Sequence, residues 1–453
     1  MRWVISVMHK IRMKVILSRL ANEWVLFIFM SSLGLISHAQ TEIITYHDSV
    51  KTIIKERYLV LNNDSLQVHG NYQMFDTNGN VIIDGNYKNG KRQGTFLNYY
   101  NNGKVQRETT YKDGLRQGVT KVYDQDGSII QEALFVNDTL SGNLKLFNPE
   151  GQLIGETEFN KGKPDGLVIE YYPGGGRKEE TQYINGKPNG YMHQFYENGV
   201  KKLEANYTNG LLDGSYKTYY PSSKLEMEVE NNRGKRTGFI RYFYENGQLK
   251  SEGKYVNGSL QGDLKVFYES GKLKSDYQYS NGYKIGKNTD YFESGEVQRE
   301  ANYSASGSKT SIKEFQENGK LAAVKFMVDD KSDGEWIYYD TKGKESIREN
   351  WNNGQLHGER LVYEHGELVR KENYQFGMRS GEWIEYFSKD KISVRSTYKL
   401  DLLTGPFVKF YKNGEIEYTG QYVRNKRHGP WTFYDKKGEV IASVIYEQGI
   451  EKK

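Results

Sequence analysis

Cysteine is absent from the 453-residue chain, and proline contributes only 7 residues. Without thiols there is no disulfide framework, no thiolate zinc site and no cysteine nucleophile. With so little proline the chain is neither collagen-like nor a Pro-rich disordered segment. Long apolar runs are missing too. The most apolar stretch, Trp24–Ile36, spans 13 residues and is interrupted by Ser31, Ser32 and Gly34. A helix spanning a bilayer needs about 20. That stretch follows Arg2, Lys10, Arg12, Lys14 and Arg19 and ends in Ser37-His38-Ala39, the form of an export signal over residues 1–39 with Gln40 as the mature start.

Net charge is nearly absent once this leader is set aside. It holds five basic residues and one acid, so the formal +5 of the chain falls to +1 for residues 40–453. No basic stripe remains for phosphate contacts, which argues against a nucleic-acid partner. The expected location is exported: periplasmic, cell-surface or secreted, with no stable membrane span after cleavage.

Glycine and tyrosine are abundant, at 48 and 37 residues, and aromatics make up 14% of the chain. Aromatic content of that size opposes disorder. The glycines recur at a fixed step. Gly70, Gly94, Gly118, Gly142, Gly166, Gly190, Gly214, Gly238, Gly262 and Gly286 are each 24 residues apart. Thr310 holds the next place, followed by Gly334, Gly358, Gly381, Gly405 and Gly429, with one unit a residue short. Counting from this anchor, position +5 is aromatic in all sixteen units, from Phe75 and Tyr99 to Tyr434. A second glycine turn follows at +9, and a second aromatic comes near +17, as in Tyr87, Tyr111 and Tyr255.

Thirteen Asn-Gly pairs punctuate the chain. Both residues tolerate positive φ, which makes the pair a strong hairpin signal. Strand-length segments rich in Tyr, Phe, Val and Ile lie between them. The expected fold is therefore all-β: an elongated antiparallel β-meander or solenoid of about sixteen 24-residue hairpins, each dependent on its neighbours. Glycines Gly94, Gly118, Gly166, Gly190, Gly214, Gly238 and Gly262 are expected at turns. Alternation places Val105, Thr109 and Tyr111, and likewise Leu249, Gly253 and Tyr255, on one covered face. Position +14, acidic from Asp84 to Glu300, falls on the wet face. For the first strand the reading stays open, because +2 is often apolar (Phe96, Trp383) while +5 is always aromatic. Either a bulge intervenes or both faces are partly covered.

The array is uneven. Residues 40–69 lack the motif and are expected to cap it, with Ile53–Leu61 as a strand. Thr310 has lost the anchor glycine, the acidic column stops after it, and all four tryptophans of the mature chain lie beyond it. This predicts a degenerate unit or elbow at 304–333 between sub-arrays 70–303 and 334–453.

The unit, as in Tyr87-Lys88-Asn89-Gly90-Lys91-Arg92-Gln93-Gly94 and Phe243-Tyr244-Glu245-Asn246-Gly247, resembles MORN repeats. It is most similar to the bacterial MORN-variant repeats often labelled as toxin–antitoxin antitoxin components. The resemblance covers residues 70–453 and implies an elongated β-meander that serves as an interaction scaffold, with no catalytic residues.

Sites are few. His357 and His365 share one hairpin unit, yet no acid completes a ligand spacing, so no metal or cofactor is expected. No phosphate-cradling loop or nucleophile elbow occurs, and no catalytic residue is assigned. The Glu108–Glu252 column is expected as a solvated row paired with lysines such as Lys202 and Lys250; the alternative is a weak calcium or basic-partner surface. A second aromatic follows +5 in many units, giving a ladder of Tyr172, Tyr196, Tyr220, Tyr244 and Tyr268. Exposed, it would stack sugars or pack a protein; otherwise it braces the sheet. Two functions follow. The first is an exported, non-enzymatic scaffold for protein–protein interaction. The alternative is a cell-envelope glycan-binding module that uses the tyrosine ladder.

Overall fold

The computed structural model describes residues 40–452; the expected leader, 1–39, lies outside them. The protein is all-β. Among the described residues there are 39 strand segments and no helix, so none is long and apolar enough to cross a membrane. The chain divides into two compact units. One reaches Lys201 and includes Tyr207–Gly210; the other holds Lys202–Asn206 and Leu211 onward.

In the first unit, strands from Gln40–Tyr46 to Lys187–Phe195 each pair antiparallel with the next strand along the chain. The strand expected over Ile53–Leu61 is present as Ile54–Leu61 and has Gln40–Tyr46 as its outer partner. The second unit is likewise a meander, from Leu211–Tyr219 to Ile450–Lys452.

Two turn types alternate. Lys88-Asn89-Gly90-Lys91 is a two-residue turn with φ of 51° at Asn89 and 76° at Gly90, the type I′ geometry that matches strand twist. Tyr100-Asn101-Asn102-Gly103-Lys104 is a three-residue loop, closed by the Tyr100 amide on the Lys104 carbonyl at 2.9 Å, with positive φ only at Gly103. The same Asn-Gly pair therefore serves both turns. In the longer loop the Asn102 carboxamide oxygen accepts from the Lys104 amide, and its nitrogen donates to the Gln125 carbonyl of the next hairpin.

The seven glycines expected at turns lie inside strands instead. Gly94 has φ +77° within Lys91–Tyr99, where pairing with Val81–Lys88 shifts register between Asp84 and Asn86. Gly118, Gly166, Gly190, Gly214, Gly238 and Gly262 share the positive φ and lie within strands. The bulge lets the strand leave the turn and still rejoin its partner. At Gly166 a Cβ would meet Glu158 of the preceding strand at 2.0 Å, so both conformation and space require glycine.

A further bulge on the second strand corrects the expected alternation. Asn98 pairs with Arg107 and Tyr99 with Val105, leaving Gln106 unpaired. Val105 therefore shares a face with Tyr99, opposite Thr109 and Tyr111. Leu249 likewise shares a face with Phe243, opposite Gly253 and Tyr255. Both faces are partly covered. On one, Tyr72, Tyr87, Phe96 and Tyr111 form a chain of edge-on rings with centroids 5.4, 5.4 and 5.2 Å apart. Arg92 lies over Phe96 and Tyr111 at 5.1 and 5.2 Å. Phe96 is 3% exposed because its ring rests where Gly85 has no Cβ. Burying such a ring contributes roughly 1.5–3 kcal/mol. Ala133, Ala205 and Ala301 keep this +15 position small in other repeats.

The other face carries the acidic column, which draws partners from outside the expected lysines. Position +3 of the adjoining strand supplies them: Lys121–Glu132 at 3.8 Å, Lys145–Glu156 at 3.9 Å, and Arg241 between Glu228 and Glu252 at 3.2 and 2.5 Å. Lys250 instead sits 5.5 Å above the Tyr244 ring. The +5 tyrosines join this face, Tyr123 donating to Glu108 at 3.2 Å and Tyr219 to Glu204 at 2.6 Å.

Through 304–333 the pairing continues. Val297–Tyr303 pairs with Lys309–Phe315 from Arg299↔Glu314 to Tyr303↔Thr310 with no register shift. Where the glycine is missing, the bulge is missing too.

Candidate functional site

The tyrosine ladder sits just past the strand ends, at the three-residue loops. The hydroxyls of Tyr172, Tyr220, Tyr244 and Tyr268 reach forward one repeat to a backbone carbonyl. Tyr172 donates to Phe195 at 2.8 Å, Tyr220 to Phe243 at 2.7 Å, Tyr244 to Phe267 at 2.8 Å and Tyr268 to Tyr291 at 2.7 Å. Tyr196 occupies the same place, half-buried, with its amide on the Val200 carbonyl. Tyr100 and Tyr411 make the same reach outside the expected set. Lys274 lies 5.3 Å above the Tyr268 ring, as Lys250 does above Tyr244. These side chains brace one repeat against the next.

The opposite strand ends are braced in the other direction. The turn glycine Gly114 donates its amide to the Arg92 carbonyl, Gly162 to Leu140 and Gly258 to Arg236. The residue before the anchor glycine then caps the following turn: Gln93 accepts from the Asp113 amide, Gln117 from Asn137 and Asp165 from Asn185. Coupling between neighbouring repeats is thus made at both ends of the strands.

One group of side chains breaks the repeat chemistry and was missed in the sequence reading. On the aromatic face of the second unit, Glu349, Arg360 and Glu372 are directly opposed on three consecutive strands. Arg360 bonds Glu349 at 3.0 Å and Glu372 at 2.7 Å, and the two carboxylate side chains are only 8% and 1% exposed. Arg370 also bonds Glu372. Trp351 donates to Glu349 and Tyr374 to Glu372, both at 3.0 Å. Burial and the Glu372 charge push the Tyr374 phenol up to about 12. Burial and Glu349 do the same to Tyr338. Burial opposes the Arg360 charge, but its two carboxylates outweigh burial and hold its pKa above the usual value. The signal lay in two columns. Glu349 at +15, and Glu372 at the equivalent +14 of the short unit, are acidic where most repeats are small (Tyr277 and Lys325 depart as well), and position +2 between them, usually apolar, is arginine.

A second departure lies at Asp290, which accepts from Ser275 at 2.8 Å and from Tyr277, with Arg299 at 3.7 Å. Burial pushes Tyr277 up to about 12 and lowers Lys284, whose ammonium lies 3.8 Å above the Tyr277 ring. His357 packs edge-on against Phe376 at 5.5 Å, and His365 occupies a turn with φ 54°. Among the described residues no group of three or more His, Asp or Glu is placed to hold a metal.

Eight segments match the family model for the MORN repeat variant: 68–89, 92–113, 116–137, 164–185, 212–230, 238–257, 260–281 and 403–424. No curated protein matches the chain. Among solved structures, the crystal structure of TcdB2-TccC3 is similar over 91% of this chain at 12% identity and a TM-score of 0.15. A Tc holotoxin pore from Photorhabdus luminescens is similar over 90% at 13% identity and a TM-score of 0.14. This chain covers 24% and 30% of those chains.

Proposed function

We propose that the protein is an exported, non-enzymatic repeat scaffold that binds another protein. The observation that carries this reading is a row of exposed apolar residues flanking the type I′ turns. Leu115, Val136 and Ile184 are 43, 42 and 46% exposed in the first unit; Leu211, Val256 and Val423 are 51, 44 and 45% exposed in the second. Apolar side chains on the two strand residues that flank the type I′ turn, in several of the repeats, offer a surface whose contacts add along the array. The conspicuous polar side chains are engaged in bracing, which supports a structural role for them. Four of the five ladder hydroxyls are donated to backbone, so a protein is a better reading of the partner than an envelope glycan. The antitoxin label attached to similar repeats is a narrower form of this proposal, with a toxin as the partner. The partition at 304–333 belongs to it as well: the repeat that lacks its glycine separates two binding stretches.

The test is affinity capture from the native envelope, with the processed chain and a Leu115→Asp/Val136→Asp/Ile184→Asp variant as baits. A protein retained by the first and lost by the second is expected. Recovery of polysaccharide alone overturns the reading. Fractionation of the producing cell, with mass analysis of the mature N-terminus, tests export; a chain retained in the cytoplasm with residues 1–39 intact overturns that part.

A further inference from the structure

The two rows of turns in the first unit carry opposite charge. On the type I′ row, Lys88, Lys91, Lys112, Lys161, Lys163 and Lys187 are exposed and make no ion pair among the described residues. Of the acids there, Asp138 is held by Arg116 at 3.1 Å and Asp165 accepts from the Asn185 amide, which leaves Asp113, with Asp64 at the first turn. On the opposite row, the three-residue loops carry exposed Asp126, Glu150 and Glu197. Asp76 and Asp124 add to them, and each accepts amides of its own turn. The Asn80 side chain and the Asn80 and Asn78 amides, all directed at the Asp76 carboxylate, hold its pKa below the usual range, so it is charged at neutral pH. Within the loops from 76 to 200 the one lysine is Lys104, its ammonium bonded to the Asp126 carbonyl, and the flanking cations Arg177 and Lys178 are paired with Glu180 and Glu170.

Both rows are built on the same 24-residue step, so the charges on each, though absent from some repeats (136–139 on one row, 100–104 and 172–176 on the other), fall on places set by one period. We propose that the basic row of one chain docks side by side on the acidic row of a second copy, in parallel and repeat against repeat. The inference rests on the scaffold reading above and names the partner. A single exposed ion pair is weak. Affinity must therefore come from several pairs made at once, and a shared period keeps them in step along both chains. Leu115, Val136 and Ile184 lie among the lysines, where a neighbour's loops, with the half-buried Tyr172 and Tyr196 and the exposed Pro149, would cover them. The contact joins two different surfaces and leaves one row free on each chain, so it extends laterally rather than closing as a pair.

Sedimentation of the processed full chain over a concentration series tests this. Association is expected, weakened at least tenfold between about 10 mM and about 1 M salt, as the screening length falls from about 30 Å to about 3 Å. Two variants sharpen the test. Lys88→Glu/Lys112→Glu/Lys163→Glu/Lys187→Glu makes both rows acidic, and Asp126→Lys/Glu150→Lys/Glu197→Lys makes both basic. All seven positions are exposed and outside any ion pair, so folding should survive; circular dichroism checks it. Each variant alone should remain monomeric, and the mixture should associate. A wild-type monomer at every concentration overturns the proposal. So does association of either variant alone, or association indifferent to salt. Binding of the monomer to anionic vesicles or polyphosphate through the same lysines, without self-association, also overturns it. If copies fail to associate while capture still returns a different protein through the apolar row, this inference falls and the scaffold reading stands.

Discussion

Two stretches of the second unit solve the same packing problem with opposite chemistry. Around 405–446, Trp431 is fully buried, its ring lying where a Cβ on Gly420 would come within 2.3 Å, with Tyr422 edge-on at 5.1 Å. Around 334–374, the equivalent places hold Glu349 and Glu372, both buried, with the half-buried Arg360 between them. The strands pair in the same antiparallel way in both. The fold therefore does not depend on what fills this face. It depends on turn geometry and on bracing at the strand ends, which both stretches keep: Gly354 donates to the Ser332 carbonyl and Gly449 to Arg427. What differs is how each stretch fails when disturbed.

The largest expected effect is in the charged stretch. Arg360→Met leaves Glu349 and Glu372 enclosed without the cation between them and should cost about 3–5 kcal/mol, read by denaturant unfolding. The triple change Glu349→Gly/Arg360→Trp/Glu372→Val copies the 405–446 pattern of Gly420, Trp431 and Val444. It should be neutral or more stable than the parent by about 1–4 kcal/mol. If Arg360→Met is silent, the contrast between the two stretches is wrong.

Next comes the aromatic stretch. Gly420→Ala forces Trp431 off its seat and should cost about 1–3 kcal/mol. Gly85→Ala, beneath Phe96 in the first unit, should behave alike. Hydrogen exchange should show the loss concentrated on adjacent strands, because stability is a nearest-neighbour property.

Alkaline pH separates the stretches by a different route. Tyr374 and Tyr338 are raised to about 12 in the fold, against about 10 when unfolded. A raised pKa means the folded state holds the proton more tightly. Their contribution is thus fully present below pH 10 and is lost as pH rises through about 12. Phenolate absorbance followed together with unfolding should show this loss, and Tyr374→Phe should reduce it.

The smallest effects belong to single braces. Tyr244→Phe removes one hydroxyl bond and should cost about 0.5–1.5 kcal/mol. Lys121→Ala breaks one half-exposed pair with Glu132 and should cost at most about 1 kcal/mol. A larger loss from Lys121→Ala than from Tyr244→Phe would mean that the charged face, rather than the strand ends, holds the repeats together.

Much of this was readable from local chemistry. The 24-residue step of glycines, the aromatic at +5 and the Asn-Gly pairs suffice for a meander of hairpins, because positive φ and β-propensity are properties of single residues and short windows. The bracing role of the tyrosine ladder was legible only as one of two choices. Tyr172 and Phe195 lie 23 residues apart, and whether a hydroxyl meets a carbonyl depends on how far one repeat is displaced from the next. The charged trio was visible as an oddity in two columns but not as a contact, since Glu349 and Arg360 meet only through register.

The sequence by itself determined the repeat, the hairpins and their spacing, since these follow from conformational preferences carried by each residue. Only the tertiary structure decided that Gly94 and its counterparts form bulges rather than turns. It also decided which Asn-Gly pair closes which loop, and which face each side chain occupies. One skipped residue, such as Gln106, moves everything before it to the other face, and pairing with the neighbouring strand decides where the skip falls.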